Sequence, residues 1–295
     1  MTQRLTYAVV TPVRNEADNL GRLSESLSGQ SERPRTWVIV DTGSDDETPT
    51  LIGGLGRQTR WIIAVSSPQE YARGGPIVRA FQAGVAAITE PVDIVVKVDA
   101  DISFEAGYFE ELLRRFANEP RLGIASGICL ENERGEWRAL HVTGDHVWGA
   151  CRAYRTECLR EVSPLEERMG WDGIDAFKAR AGGWKTNTFQ DLAFQHHRSE
   201  GQRDGRWQAW IARGSAAHYM GYRPDFLAFR TVHRMRADPA AVAMMIGWAR
   251  SALVREPRCS DPAVRAELRR QQRLRELPAR ALEALGRRKG ERTSP

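Results

Sequence analysis

In DIVVKVDADISF, residues 93–104, two carboxylates, Asp99 and Asp101, stand two positions apart where an apolar run ends. In an extended chain residues i and i+2 point to the same face, so the pair can converge on one small target. Two hard carboxylate oxygens suit Mg²⁺ or Mn²⁺, ions typically held by one or two carboxylates together with substrate phosphates. A solvated turn would use the same residue type, since aspartate is common where strands end. A related device lies upstream in WVIVDTGSDDETPT: an apolar run, then Asp41, then a polar loop containing Gly43. An acid at such a strand end can accept hydrogen bonds from a ribose or a base. A helix N-cap cluster from Ser44 to Thr48 accounts for Asp45 and Asp46. It leaves Asp41 without an account.

The elements that would position these acids alternate between two periodicities. TYAVVTPV, RTWVIVD, WIIAVS, DIVVKVD and GIASGICL read as strands, and NLGRLSESL, TPTLIGGL, PIVRAFQAGVAAI and FEAGYFEELLRRFA read as the helices between them. Such alternation predicts a mostly parallel sheet with helices on both faces, and ligands bound beyond the carboxyl ends of its strands. Thr11 to Glu16, Asp41, Asp99 and Asp101 all fall at those ends. Farther on, WRALHVTGDHVWGACRAYRTECLREV mixes both patterns, MGWDGIDAFKARAGGWKT reads as a loop entering a short helix, and TFQDLAFQHHR as one more strand. From about Gly205 the chain reads as successive helices.

Composition narrows the class. The 295 residues allow one large α/β domain or two small ones. Cys129, Cys151, Cys158 and Cys259 form no CxxC pair, which argues against a zinc site or a disulfide framework and suits a reducing cytoplasm. The N-terminus carries no secretory h-region, and the apolar run AAVAMMIGWA is too short to span a bilayer. The net charge is +5, and from Asp261 onward ten basic residues face five acidic ones, so this tail holds the whole excess. A nucleic-acid-binding body is thereby disfavoured.

VVTPVRNEADNL, VIVDTGSDDETPT, RAFQAG and VKVDADISF follow, in order and spacing, a pattern that resembles the family 2 glycosyltransferases of GT-A fold. The resemblance extends over about residues 5 to 200. It implies a catalytic domain over 1–204, with a nucleotide-binding half of about 1–103 and an acceptor half of about 104–204, followed by a helical region with a basic tail over 205–295. It implies inverting transfer from a UDP- or GDP-linked sugar to a hydroxyl acceptor of a polysaccharide, glycolipid or other glycoconjugate. Pro12, Arg14, Glu16 and Asp41 would hold the nucleotide. Asp99, Ala100 and Asp101 would form the DxD element, with Asp101 on a Mn²⁺ or Mg²⁺ ion and Asp99 shared between ribose and metal. Arg73 or Arg79 would assist with base or phosphates. The sequence also departs from the family pattern: DTGS stands for DDGS or DNGS, and Gln82 stands where an asparagine is usual.

An inverting transferase needs a base on the sugar face opposite the departing diphosphate. GWDGID matches the family's acidic motif at a helix start. Asp172 takes the place of its second acid, and Asp175 is the other candidate; Trp171 replaces the first acid. A helix N-cap and a first-turn acid would use the same two positions. His196 and His197 follow an apolar strand, and adjacent side chains on a strand point opposite ways, so one of them, with His196 preferred, would complete the metal's shell. Arg198 suits a bidentate clamp on diphosphate oxygens. His141, His146, His218 and His233 read as structural or surface residues. Trp148, Trp171 and Trp184 are candidates for a sugar platform, though packing is the commoner fate of tryptophan.

Other classes fit less well. A Rossmann dehydrogenase needs GxGxxG after the first strand, where TPVRNE stands. A nucleotidyltransferase would want a glycine-rich basic loop near the N-terminus. A non-catalytic metal or sugar-binding module would bind without transfer. A polyprenyl-phosphate sugar synthase is the near alternative within the fold, because HRSEG resembles its RxxG motif. The Arg-rich segment 263–290 has a helical pattern interrupted by Pro278, suited either to an anionic membrane surface on the cytoplasmic side or to packing, including a homodimer contact.

Overall fold

The computed structural model describes residues 4–70, 74–133, 135–140, 146–198, 205–236 and 238–272. Arg73, the Ser199–Gly201 part of HRSEG, His141 and the tail beyond 272 lie outside the described residues. The chain divides into two compact units, Met1–Ala139 with Val147–Glu200, and Leu140–His146 with Gly201–Pro295.

The first unit begins with the predicted alternation: β1 (Tyr7–Val13), α1 (Ala17–Ser28), β2 (Thr36–Asp41), α2 (Thr48–Gln58), β3 (Ile62–Ser66), α3 (Gly75–Ala86) and β4 (Ile94–Val98). It continues with β5 (Ile102–Phe104), α4 (Tyr108–Asn118), β6 (Leu122–Glu133), β7 (Glu136–Ala139) and β8 (Cys151–Arg155). Helices α5 (Thr156–Val162) and α6 (Trp171–Ala181) and the strand β9 (Lys185–His196) complete it. One sheet runs in the order β3-β2-β1-β4-β8-β6-β9-β5, with β7 beside β6. The strands from β3 to β4 are parallel, and β8 enters antiparallel between β4 and β6. Strands β6 and β9 pair in parallel, and the short β5 closes the far edge antiparallel to β9.

The continuous apolar character of TWVIV and IVVKV has a direct cause. Every residue of β4 and the first five of β2 are buried between helical layers. Helix α3 approaches the sheet at Gly84, where a Cβ would stand 2.3 Å from Val10 Cγ1 and 2.9 Å from Val40 Cγ2. The glycine of RAFQAG therefore sets how closely this helix packs. Gln82, where the family pattern has asparagine, accepts the backbone N–H of Leu165 (3.1 Å).

The second unit contains α7 (Arg206–Met220), α8 (Pro224–Met235), a 3₁₀ turn (Pro239–Val242), α9 (Ala243–Leu253) and α10 (Pro262–Gln271). Its core joins Trp210, Ala217, Leu227, Ala241, Ala243 and Met244. Glycines bring α7 and α9 backbone to backbone: a Cβ on Gly214 would lie 2.0 Å from the Met244 carbonyl oxygen, and one on Gly247 2.1 Å from that of Ile211. Among the described residues, no helix is long and apolar enough to cross a membrane.

Candidate active site

The loops leaving β1 and β2 are tied to each other. Asn15 sits at φ 54°, a left-handed conformation that asparagine tolerates better than most residues. Its backbone N–H donates to Ser44 Oγ (3.0 Å), its side-chain amide donates to Asp45 Oδ1 (2.7 Å), and its Oδ1 accepts from Asp45 N (3.0 Å). Asp41 braces the same loop through Oδ1, which accepts from Gly43 N (3.2 Å), Ser44 N (3.0 Å) and Ser44 Oγ (2.7 Å). Thr42, standing where the family pattern has an acid, donates to the Val13 carbonyl (3.0 Å). Asp46 accepts from Thr48 N (2.9 Å) and Ala17 N (3.3 Å), so this acid is structural.

At the end of β4, Lys97 is the one polar residue in IVVKV. Its side chain is buried, and its ammonium donates to Gly149 O (2.7 Å) and to Asp99 Oδ1. Burial pushes the Asp99 carboxyl up; Lys97 pulls it down and Asp101 pushes it up again, for a net rise. Asp99 still exposes 31% of its side chain, so water moderates that push. Asp101 behaves oppositely. Burial raises it, but His196 and Arg198 outweigh burial and hold its carboxyl below the usual range.

His196 and Arg198 arrive at Asp101 through strand register. His196 pairs with Ile102 of β5 on one side and with Glu131 of β6 on the other. Its Nε2 lies 3.4 Å from Asp101 Oδ1 and its Nδ1 lies 3.3 Å from Glu131 Oε1. Burial disfavours the imidazolium, yet hydrogen bonds to Asp101, Cys129 and Glu131 push the ring up to about 12. His197 lies on Ser103 Oγ through Nε2 (2.8 Å) and edge-on to Trp137 (5.2 Å). Burial, the largest cause, and the nearby Arg22 lower its pKa. Arg198 forms a bidentate pair with Glu16 (3.1 and 2.6 Å) and brings Nε to 3.6 Å from Asp101 Oδ2. Glu16, expected to hold the nucleotide, is itself buried and also accepts from Asn19 (2.8 Å).

The two acids of GWDGID separate. Gly170, at φ 88°, caps α6, and Asp172 occupies its first turn, half-buried against Gly149, where an added Cβ would stand 3.3 Å from Asp172 Oδ2. Gly149 is also the residue whose carbonyl holds Lys97, so Asp172 and Lys97 share it as a neighbour. Asp175 corrects an expectation. It is fully packed, accepting two hydrogen bonds from Arg152 (2.9 and 2.6 Å) and one from Tyr154 (2.5 Å). Burial raises its carboxyl while Arg152 and Tyr154 pull it back. With those partners it has no face left for an acceptor. Trp171, in place of the family's first acid, lies with the Lys97 ammonium 5.9 Å and the Arg152 guanidinium 5.8 Å from its ring centroid.

Other expected residues have the following places. Pro12 is a half-buried rung of β1 opposite Val40, and Ala100 is buried between the two acids. Arg14 donates to the Gln69 carbonyl (2.8 Å). Arg79 is exposed, bound to Gln69 Oε1 (2.8 Å) and Glu167 Oε2 (3.1 Å). Trp184 is packing: its ring is buried and its indole N–H donates to Glu161 (2.7 Å). Lys97 and Glu131 were missed. A single lysine inside an otherwise apolar run marks the first, whereas Glu131 becomes visible only through the β6–β9 register.

The donor set suits a divalent cation. Asp101 Oδ1 and His196 Nε2 are 3.4 Å apart, somewhat wider than the roughly 3.0 Å between adjacent ligands on an octahedral ion with bonds of about 2.1 Å. Asp101, His196 and Asp99 are the residues that would hold it. Cys129, Glu131 and His196 form a further group whose ligand atoms all lie within 4.8 Å of one another. The scattered cysteine spacing had argued against any such cluster.

A parallel sheet that continues into antiparallel strands, with paired acids at the junction, defines the GT-A class of glycosyltransferase folds. A mannosyltransferase from Pyrobaculum calidifontis, PcManGT, solved with GDP-Man and Mn²⁺, matches over 96% of this chain and 85% of its own (TM-score 0.57, 18% identity). S. aureus TarS 1-349 with UDP-GlcNAc matches over 72% of this chain and 66% of its own (TM-score 0.54, 17% identity). GalNAc-T7 with UDP, GalNAc and Mn²⁺ matches over 74% and 48% (TM-score 0.57, 13% identity). The sequence pattern of glycosyl transferase family 2 matches residues 8–160, and the chain belongs to that family. Glycosyltransferase AglD of Haloferax volcanii is 33% identical over 113 residues, which is 37% of this chain and 17% of AglD.

Proposed function

We propose that this chain is a metal-dependent, inverting glycosyltransferase. It takes a sugar from a UDP- or GDP-linked donor and delivers it to a hydroxyl acceptor of a polysaccharide, glycolipid or other glycoconjugate. The observation that carries the reading is the convergence of Asp99, Asp101, His196 and Arg198 at the carboxyl end of β4. The complexes of PcManGT with GDP-Man and Mn²⁺ and of TarS with UDP-GlcNAc support a nucleotide-sugar donor.

A divalent ion, when bound, supplies Lewis-acid stabilisation of charge on the departing diphosphate. The chain's own residues do the rest. Glu16 holds the Arg198 guanidinium in place, so a fixed positive charge stands beside the acids where a diphosphate must lie. Asp172 takes the proton of the acceptor hydroxyl as that oxygen bonds to the anomeric carbon and the bond to the diphosphate breaks. Lys97, lodged against Gly149 and the Trp171 ring, neutralises part of the charge on Asp99.

A thermal-shift series with UDP- and GDP-sugars, with and without Mn²⁺, tests the reading. A ligand at a hundred times its Kd stabilises the fold by about 2.7 kcal/mol through mass action. A shift that needs both sugar nucleotide and Mn²⁺ is expected, and no shift with any donor overturns the proposal. Transfer or hydrolysis of the stabilising donor then separates an enzyme from a binding module. Membrane contact through the basic tail belongs to the same proposal. The full chain should float with anionic vesicles and a chain ending near Pro257 should not, each nearby Lys or Arg contributing about 1 kcal/mol at such a surface.

A further inference from the structure

We infer that Glu131 is the residue that aims His196 at the metal-binding acids, an inference that rests on the metal-dependent reading above. His196 is held from both sides by carboxylates on neighbouring strands. Glu131 Oε1 lies 3.3 Å from Nδ1, and Asp101 Oδ1 lies 3.4 Å from Nε2. A ring free to turn about its Cβ–Cγ bond would put Cδ2 and Cε1 where Nδ1 and Nε2 now stand, taking both nitrogens off the carboxylates. Glu131 opposes that turn by accepting the Nδ1–H, which commits Nε2 to Asp101 and to a cation beside it.

Three features make Glu131 a dedicated support. It is directly opposite His196 in the β6–β9 ladder, so the backbone register fixes the approach. Its side chain is 12% exposed and that of His196 13%, so water competes little for the contact. It also stands on the side of the ring away from Asp101, where it acts through the imidazole rather than on a substrate. Burying a carboxylate is costly unless it is paired, and the His196 N–H is the pairing the structure gives it. Partners of this kind, accepting the second N–H of a ligating histidine, fix the tautomer and the ring's orientation, and losing one typically weakens metal binding about 10–100-fold. Cys129 reaches the same ring, but a thiol is a weak acceptor and cannot fix it as a carboxylate does.

The test measures Mn²⁺ affinity of the full chain from the electron paramagnetic resonance signal of free Mn²⁺. It also follows the His196 ring N–H protons by ¹⁵N-resolved NMR in metal-free protein. Glu131→Ala should weaken Mn²⁺ binding about 10–100-fold and abolish the slowly exchanging Nδ1–H signal. Glu131→Gln, whose amide oxygen still accepts the proton, should retain the Nδ1–H signal and most of the affinity. Cys129→Ala should leave both readouts close to wild type. Unchanged affinity and an unchanged Nδ1–H signal in Glu131→Ala overturn the inference, as does an equal loss in Cys129→Ala. If the wild-type chain binds no Mn²⁺, the metal-dependent reading falls. The Nδ1–H signal then decides the role of Glu131 by itself: its loss in Glu131→Ala with retention in Glu131→Gln supports the aiming role, and its persistence in both overturns it.

Discussion

Two pairs of aspartates, Asp99 with Asp101 and Asp172 with Asp175, are built on different periodicities. On an extended chain a spacing of two keeps both acids at one edge, and Asp99 and Asp101 end up with separate cationic partners, Lys97 for one and His196 with Arg198 for the other. On a helix a spacing of three leaves the two acids neighbours on one side, and here the packed face begins between them. Asp172 stays half-exposed beside Gly149, and Asp175 is enclosed by Arg152 and Tyr154. The same residue type thus stays half-exposed at one position of α6 and is enclosed three residues later. Burial and partners decide which is which, and sequence proximity does not.

Substitutions can break or sharpen that contrast. Asp101→Asn removes the charge that faces His196 and Arg198. Transfer measured with saturating Mn²⁺ should fall by about 10³-fold or more, with an unchanged melting profile. Full activity in this variant, or in excess chelator, would end the metal-dependent mechanism. Asp172→Asn should lower kcat by about 10²–10⁴-fold with a hydroxyl acceptor and leave donor KM nearly unchanged. An acceptor that is already an ionised phosphate needs no base, so near wild-type turnover on a polyprenyl phosphate would point to the synthase chemistry instead. Asp175→Asn should act on stability, leaving Arg152 buried and short of its counter-charge at a cost of about 3–5 kcal/mol. Denaturant unfolding measures this, and a stable but inactive Asp175→Asn would return that residue to the mechanism. Tyr154→Phe should be mildest. It deletes the hydrogen bond donated to Asp175 and the one accepted from Arg152 Nε, together about 1–3 kcal/mol, with kcat retained in the surviving fold.

Much of the sheet was legible because its pattern is local. The buried runs of β1, β2 and β4 and the leucines of α1 declare themselves in short windows, and the acids at the strand ends come with them. Asp175 was not legible, since its partners Arg152 and Tyr154 are more than twenty residues away and only folding reveals the pairing. Glu16 had the same difficulty: its partner Arg198 lies 182 positions downstream. The match to the family pattern ends at residue 160, before Asp172, His196 and Arg198. The family signature therefore covers Asp99 and Asp101, whereas His196 and Arg198 are placed by β9 and its register and Asp172 by the start of α6.

That register also has a consequence in time. His196 reaches Asp101 only when β9 has paired with β5, a contact between residues 102 and 196. Loop-closure entropy makes such distant pairings late and slow. On a ribosome the β1, β2 and β4 strands emerge and can pair well before β9 has been synthesised. The growing chain thus carries Asp101 for tens of residues before the histidine and arginine that face it exist, while Asp99 has Lys97 from the start. Completion of the active site and closure of the sheet's last edge are one event.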